Sequence, residues 1–576
     1  MSSTQGECIM SLNYIAEITN SDSHMIKISV SGQRKSQNQI KAFLPSWSPG
    51  SYLMREYSRH IRGLKVTDDQ GKPLYYQQEA KGAWSIVWNH PEFLSESKTF
   101  SIEYEIYAHE LTVRTSHIDN SHAFLHGPSL FIGIEGQENT AHQIEFKFPA
   151  LWSKLTTSLK DISDKRERFI YEAKNYDELL DCPIEIGCHE TDGFMVSGLE
   201  HHLAFYGESY PHQYNLKADI KKIVEYVSQF VGEIPYESYT FIIHLLKDKF
   251  GGLEHSSSTV LQFDGRKLNN RKDYLQWLAL VAHEYFHTWN IKRIRPKELG
   301  PFDYQNENYT RMLWLVEGLT SFVDELFVYQ AGLCTLEEYL GVQKNNLVRY
   351  YQTAGRKFHS LEESSFNAWI KLYRPDENSK NSSVSYYLKG GLVFSILHIE
   401  LLGYKKSIKD FVHLLWKHYK QNPEVGIVKS EVLSIITNLS NSKVAENFDK
   451  MISTTEEIDF EKYYKKIGVG FKWQNETPIS LGAQFEFRGD RVIILSVDLD
   501  EAAYQSGLNA GDEIIAINNQ RVLRIDIENI AQLLKEDTSY LFTISRLEKI
   551  LNIEVVVKKA PRLLESVVLE ARELAE

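Results

Sequence analysis

The stretch His283-Glu284-Tyr285-Phe286-His287 constrains this chain more than any other. It follows the apolar run Leu278-Ala279-Leu280-Val281-Ala282, and neither Pro nor Gly interrupts the chain until Pro296. Such a run reads as a buried helix. Four residues make about one helical turn, so both imidazoles leave the same face. Two neutral imidazoles so placed can hold Zn²⁺, and Glu284, beside the first, can reach a water on the ion and take its proton. The bland reading is two core histidines and a solvated glutamate. A catalytic zinc needs three protein ligands and one open position. The segment Leu313-Trp314-Leu315-Val316-Glu317-Gly318-Leu319 offers the third, because its lone carboxylate interrupts an apolar helical pattern. A buried carboxylate is costly unless paired or metal-bound. Glu317 is therefore the expected third ligand, with a surface carboxylate as the competing reading. Asp324 lies seven positions on, two turns along the same face. It is placed to hold a ligand histidine by its other ring nitrogen, against the reading of an exposed helix acid.

A length of 576 residues predicts about three or four domains. Apolar content of 42% and charged content of 24% are those of a globular protein, and the net charge of −13 argues against nucleic acid and anionic membrane as partners. No apolar stretch is long enough to span a bilayer. Residues 1–20 lack the basic patch and hydrophobic core of a signal peptide. The four cysteines, Cys8, Cys182, Cys188 and Cys334, show no zinc-like pairing and fit a reducing compartment. A cytoplasmic location is the expectation.

From about residue 10 to 210 the chain reads as strands. Thr99-Phe100-Ser101-Ile102-Glu103-Tyr104-Glu105-Ile106-Tyr107 alternates apolar and polar residues, and Ile26-Lys27-Ile28-Ser29-Val30 does the same. An antiparallel β domain is expected there. Near residue 216 the period changes to that of a helix. The strand pattern Tyr239-Thr240-Phe241-Ile242-Ile243-His244 follows, then Phe250-Gly251-Gly252-Leu253-Glu254-His255. The paired glycines beside a strand allow a ligand or another backbone to come close. Residues 273 to about 452 are mostly helical in pattern. The basic cluster Lys292-Arg293-Ile294-Arg295 reads as a salt-bridged loop or as a contact for a substrate carboxylate. From about 475 short strands return, and residues 562–576 read as a terminal helix.

Several of these stretches together resemble the glycyl aminopeptidase family of gluzincin zinc metallopeptidases. They are His283-Glu284-Tyr285-Phe286-His287-Thr288-Trp289-Asn290, Trp314-Leu315-Val316-Glu317-Gly318, Leu44-Pro45-Ser46-Trp47-Ser48-Pro49-Gly50-Ser51-Tyr52, and Pro183-Ile184-Glu185-Ile186-Gly187. The resemblance covers nearly the whole chain. It implies a multidomain α+β fold: an N-terminal antiparallel β domain (1–212), a thermolysin-like, mostly helical catalytic domain (213–460), a C-terminal PDZ-like β domain (461–561) and a helical tail (562–576). It further implies one Zn²⁺ per chain on His283, His287 and Glu317, with Glu284 as general base. Gly251-Gly252-Leu253-Glu254 resembles a substrate strand whose acidic residue binds the free α-amine of a peptide. Tyr387 matches the residue whose hydroxyl stabilises the oxyanion, with Tyr386 one position away. Ser480-Leu481-Gly482-Ala483-Gln484-Phe485 is similar to a PDZ carboxylate loop, in which Leu481, Gly482 and Ala483 would take the C-terminus of a peptide ligand or serve instead in an internal brace. The implied partners are peptides with a free N-terminus, the implied activity is that of an aminopeptidase, and the implied preference is for N-terminal Gly or Ala. Two other readings stay open: a PDZ-containing peptide-binding protein with a vestigial metal centre, and a gluzincin endopeptidase.

Overall fold

The structure is a computed structural model and describes residues 11–34, 37–164, 168–208, 212–474, 479–530, 534–560 and 564–569. The chain divides into two compact units, residues 1–309 with 416–427 and residues 310–415 with 428–576.

In the first unit the alternating segments form strands whose apolar side chains turn inward. Thr99–Tyr107 buries every second residue, Phe100, Ile102, Tyr104 and Ile106. It lies in a seven-stranded sheet beside Met25–Gln33, whose Ile26, Ile28 and Val30 are fully buried. The expected antiparallel arrangement holds for every neighbouring pair in this sheet but one, since Leu12–Asn20 runs parallel to His142–Lys147. Parallel pairing needs a long crossover rather than a hairpin, and here more than a hundred residues of chain separate the two strands. Two four-stranded sheets complete the region. Between them runs the buried stretch Leu130-Phe131-Ile132, whose carbonyls accept hydrogen bonds from the hydroxyls of Tyr104 (2.7 Å), Tyr176 (2.6 Å) and Tyr14 (2.9 Å). Those bonds offset the desolvation of three backbone carbonyls in an otherwise apolar core.

A five-stranded sheet follows, in the order Glu190–Val196, Leu199–Gly207, Ser238–Leu245, Ser258–Phe263 and Phe250–Glu254. Its strands come from both sides of residue 212, so the expected division there falls inside one hydrogen-bonded sheet. Phe250–Glu254 is an edge strand, antiparallel to Ser258–Phe263. The helix Arg271–Phe286 packs against these two strands and against the helix Leu216–Val231. Asn270 caps it by accepting from the backbone N–H groups of Lys272 and Asp273. The apolar run predicted as a buried helix is its second half, with Trp277, Leu278, Val281 and Ala282 fully buried.

In the second unit Trp314–Gly318 forms a π-helical turn that leads into Leu319–Gln330. Leu336–Tyr351 and Tyr386–Leu402 follow, the first opened by a capping box at Thr335 and Glu338, the second capped by Ser385. Lys389, on the second of these, is fully buried, and burial lowers its pKa from 10.5 to about 8. The unfolded chain thus binds the extra proton between those values, so stability rises as pH climbs from about 8 towards 10.5. Replacing Lys389 with Met should therefore stabilise the protein near neutral pH by up to about 3 kcal/mol, a gain that vanishes by pH 10.5. Denaturant melts of both proteins across that pH range check it.

The last strands build a sheet in the order Ala483–Arg488, Arg491–Val497, Glu513–Ile517, Ser539–Arg546 and Lys549–Val556, over a core that includes Leu481, Val492, Ile514 and Phe542. The expected terminal helix is corrected. Leu564–Leu569 is a strand, antiparallel to Val469–Trp473, and the rest of that tail (562–563 and 570–576) lies outside the described residues. The two strands join the chain on either side of this sheet, and Leu336–Tyr351 packs on the later one.

Among the described residues no helix is long and apolar enough to cross a membrane. No disulfide joins Cys182, Cys188 or Cys334, and Cys8 lies outside the described residues.

Candidate active site

The two imidazoles of the motif lie at the C-terminal end of Arg271–Phe286, where His287 is the cap residue and its N–H bonds the His283 carbonyl at 3.2 Å. Their ring centroids are 4.6 Å apart and their planes perpendicular. His287 Nδ1 is 2.8 Å from the Asn290 carbonyl. A carbonyl only accepts, so Nδ1 carries the hydrogen and donates it, which puts the lone pair on Nε2. His287, held in this way, suits a zinc-type ion, which prefers neutral imidazoles.

Glu284 is 5% exposed and lies against the edge strand. A Cβ on Gly252 would stand 2.2 Å from Glu284 Oε1 and 2.4 Å from both its Cγ and Cδ, so only glycine leaves room for this carboxylate. Glu254, also 5% exposed, stands at the end of the same strand. Donor atoms of Glu254, Glu284 and His287 all fall within 4.8 Å of one another. The loop before Tyr52 closes over Glu254 from the N-terminal strands. A Cβ on Gly50, where φ is +81°, would stand 2.6 Å from both carboxylate oxygens of Glu254. That loop is pinned by the Trp47 indole, which donates to the Asp303 carbonyl at 2.8 Å.

A cavity of about 230 Å³ adjoins Glu254, lined by Trp47, Tyr52, Asp181, His255, Lys292 and Tyr304 among others. In the basic cluster Lys292 Nζ lies 2.7 Å from Asp181 Oδ1, and Arg293 donates to the carbonyls of Ser256, Thr288 and Pro235. His255 Nδ1 is 3.0 Å from the same Asp181 oxygen, and Ser256 donates to the other through its N–H and its hydroxyl. Burial pushes the Asp181 carboxyl up, but Lys292 and His255 outweigh it and hold the group well below the usual carboxylate range. Burial likewise disfavours the Lys292 ammonium, and the charges of Asp181 and Glu254 more than restore it. The lining carries the carboxylates of Asp177, Glu178, Asp181 and Glu254 against the cations of Lys174, Lys292 and Arg295, with His255 beside Asp181. Asp181 and Gly50 were not singled out from sequence. For Asp181 a signal existed, a carboxylate flanked by Leu179, Leu180, Cys182 and Pro183, the same kind of interruption that marks Glu317.

In the second unit Glu317 is 3% exposed and occupies the π-helical turn. Gly318, next to it, packs backbone to backbone on Gly390. A Cβ on either would stand 2.8 Å from the other's Cα. That contact ties the Glu317 turn to the start of Tyr386–Leu402, which carries both candidate tyrosines. Tyr386 is fully buried, and its ring stacks on Tyr387 with centroids 4.8 Å apart. Asp324 is 8% exposed, so the exposed-acid reading fails. Its Oδ1 accepts from the Glu325 N–H. Burial, followed by the Asp324 charge, raises the Glu325 carboxyl, which accepts from Gln343 at 2.7 Å and Asn346 at 3.0 Å.

In the loop 481–483, Leu481 is buried in the core of its sheet, and its carbonyl accepts from the Ala503 N–H at 2.8 Å. Gly482 adopts φ +69°, donates its N–H to Ser480 Oγ at 3.0 Å and accepts from the Asp498 N–H at 2.7 Å. Asn381, five residues before Tyr386, grips the neighbouring backbone with both ends of its amide, giving a bond to the Val497 carbonyl at 2.8 Å and accepting from the Leu499 N–H at 2.9 Å. Lys380 adds an ion pair to Asp498 at 2.6 Å.

The fold and the family domains place the chain among the metallo-aminopeptidases. Within that class, the chain belongs to the M61 glycyl aminopeptidases: residues 13–188 match the Peptidase M61 N-terminal domain, 276–393 the M61 glycyl aminopeptidase domain and 493–546 a PDZ domain. A solved structure of an aminopeptidase N family protein from Idiomarina loihiensis is 28% identical, with a TM-score of 0.89 over 96% of this chain and 98% of that one. A variant of the M1 zinc metallopeptidase from Deinococcus radiodurans shares the fold at 11% identity, with a TM-score of 0.50 over 78% of this chain and 96% of that one. An aminopeptidase N from Haemophilus influenzae is 24% identical over 199 residues, which is 34% of this chain and 18% of that relative.

Proposed function

We propose that the protein is a zinc-dependent aminopeptidase that releases small N-terminal residues, Gly or Ala, from peptides. The observation that carries this reading is the convergence of Glu254, Glu284 and His287 beside a small cavity. In the proposal His283, His287 and Glu317 hold the ion, and Asp324 orients one of the imidazoles. Bound there, zinc supplies a Lewis acid for the scissile carbonyl and the attacking water. Glu284 takes the proton of that water and passes it to the departing nitrogen. Glu254 pairs with the α-ammonium of the substrate, which fixes cleavage one residue from the end. Gly251 and Gly252 leave room for an extended peptide beside the edge strand Phe250–Glu254, whose Gly252 carbonyl accepts from Arg114 at 3.1 Å. The Tyr387 hydroxyl donates to the developing oxyanion, a contact typically worth about 3 kcal/mol. The cavity of about 230 Å³ is below the span of about 300–1,000 Å³ common for ligand pockets, which supports a small first side chain. The double-ended grip of Asn381 supports an internal brace as the role of the PDZ domain, in preference to capture of a peptide C-terminus.

Acetylating the N-terminus of an Ala-peptide should abolish cleavage, and Glu254→Gln should lower kcat/KM on the unblocked peptide by about 10²-fold, the loss of one buried charge pair of roughly 3 kcal/mol. Cleavage of the acetylated peptide at the unblocked rate would replace this reading by an endopeptidase. A panel of aminoacyl naphthylamides tests the side-chain preference, which fails if large apolar residues are cleaved fastest.

A further inference from the structure

A second set of histidines lies in the N-terminal β region, on the hairpin that joins the strands His117–Ile118 and His122–Leu125. His117 Nδ1 is 2.6 Å from the His109 carbonyl, so the hydrogen sits on Nδ1 and the lone pair on Nε2. That Nε2 is 3.2 Å from Asp119 Oδ2. Two acceptors at that distance repel unless a proton or a cation lies between them. His122 Nδ1 is 2.7 Å from Glu185 Oε1, and Glu185 also accepts from His244 Nε2 at 3.0 Å, with Gln262 Nε2 3.3 Å from His244 Nδ1. This chain of bonds places the His122 hydrogen on Nδ1. Its Nε2 is then a lone pair, wholly buried and without a hydrogen-bond partner. Tyr206 stacks on the His122 ring at 3.4 Å, and its hydroxyl bonds Ser121 Oγ at 2.8 Å, which fixes the plane of the imidazole.

We propose that His117, Asp119 and His122 bind a divalent transition cation of the zinc class, at a site separate from the peptidase centre. One ligand atom from each of the three lies within 4.8 Å of the other two. Ligands about 2.0–2.2 Å from a tetrahedral zinc stand roughly 3.3–3.5 Å apart, close to the His117–Asp119 separation already present. Glu185 buttresses His122 as carboxylates do behind metal-bound histidines. Oδ1 of Asp119 is occupied by the N–H groups of Ser121 and His122, which leaves Oδ2 to point at the ion. Ser121 and Tyr206, both beside His122, line a cavity of about 1,010 Å³, and three protein ligands leave a position for water.

The test is zinc stoichiometry by elemental analysis after chelation, reloading and dialysis of the full chain. Wild type should hold two equivalents, and His117→Ala or Asp119→Asn one. Neither residue belongs to the hydrophobic core of the N-terminal strands. The doubly substituted His283→Ala/His287→Ala chain should keep one equivalent and lose it when His117→Ala is added. In that doubly substituted chain, Co²⁺ in place of zinc should give visible d–d absorption that His117→Ala abolishes, and Glu185→Gln should weaken Zn²⁺ binding 10- to 100-fold. No zinc retained by His283→Ala/His287→Ala, or none lost on adding His117→Ala, overturns the proposal. Failure of the peptidase reading alone looks different: wild type and His283→Ala/His287→Ala would then hold the same single equivalent, sensitive to His117→Ala.

Discussion

Glu284→Gln is expected to lower kcat by about 10³-fold, within the range of about 10²–10⁴ attributed to a positioned general base. The amide keeps the shape of the side chain, so it still fits under Gly252, where a Cβ would stand 2.2 Å from Oε1. What it loses is the capacity to accept a proton. Neither the His287 Nδ1 bond to the Asn290 carbonyl nor the perpendicular pair of rings involves this carboxylate. Metal content should therefore stay at the wild-type level while turnover of Gly- and Ala-naphthylamides collapses. KM should move little, because Glu254 is assigned the substrate's ammonium. Zinc retained together with full turnover would remove Glu284 as the base, and with it the proposed mechanism. Loss of zinc together with turnover would show that the carboxylate supports the ion and does not act on the water.

The difference between what the sequence discloses and what it hides follows the range of the interactions. The motif helix is legible because its signals are local: an apolar run and two histidines four apart. The same holds for the alternation in Thr99–Tyr107. The Asp181–Lys292 pair joins residues 111 positions apart, and no local pattern names such a partner. The closure of Gly50 over Glu254 is equally remote. The tail misled because a short strand at the end of a chain takes its identity from its partner. Leu564–Leu569 pairs with Val469–Trp473 across the whole of the PDZ sheet. Sheet membership of residues 190–207 went unread for the same reason, since Leu199–Gly207 lies beside Ser238–Leu245 only after an intervening helix.

Gly252→Ala is expected to cost activity nearly as much as removal of a catalytic group, about 10²-fold in kcat/KM, with little loss of stability. A displacement of roughly 1 Å at a reacting group is enough for that factor. The backbone of Gly252 is not in the left-handed region, so alanine meets no conformational strain there. Its Cβ meets Glu284 instead, at 2.4 Å from Cγ and Cδ as well as 2.2 Å from Oε1, and the carboxylate must swing away from its place beside Glu254 and His287. Gly251 supplies the internal contrast. It has φ +150° and nothing within 4 Å of an added Cβ, so Gly251→Ala should cost stability through the backbone, about 1 kcal/mol or more, and leave Glu284 where it is. Measured side by side, the two alanines should separate: Gly252→Ala loses turnover at a nearly unchanged Tm, and Gly251→Ala loses Tm with turnover largely kept. Wild-type kcat/KM in Gly252→Ala would mean that the reaction tolerates a displaced Glu284 carboxylate. The paired glycines would then serve only to admit the substrate backbone, and the base would have to be sought elsewhere.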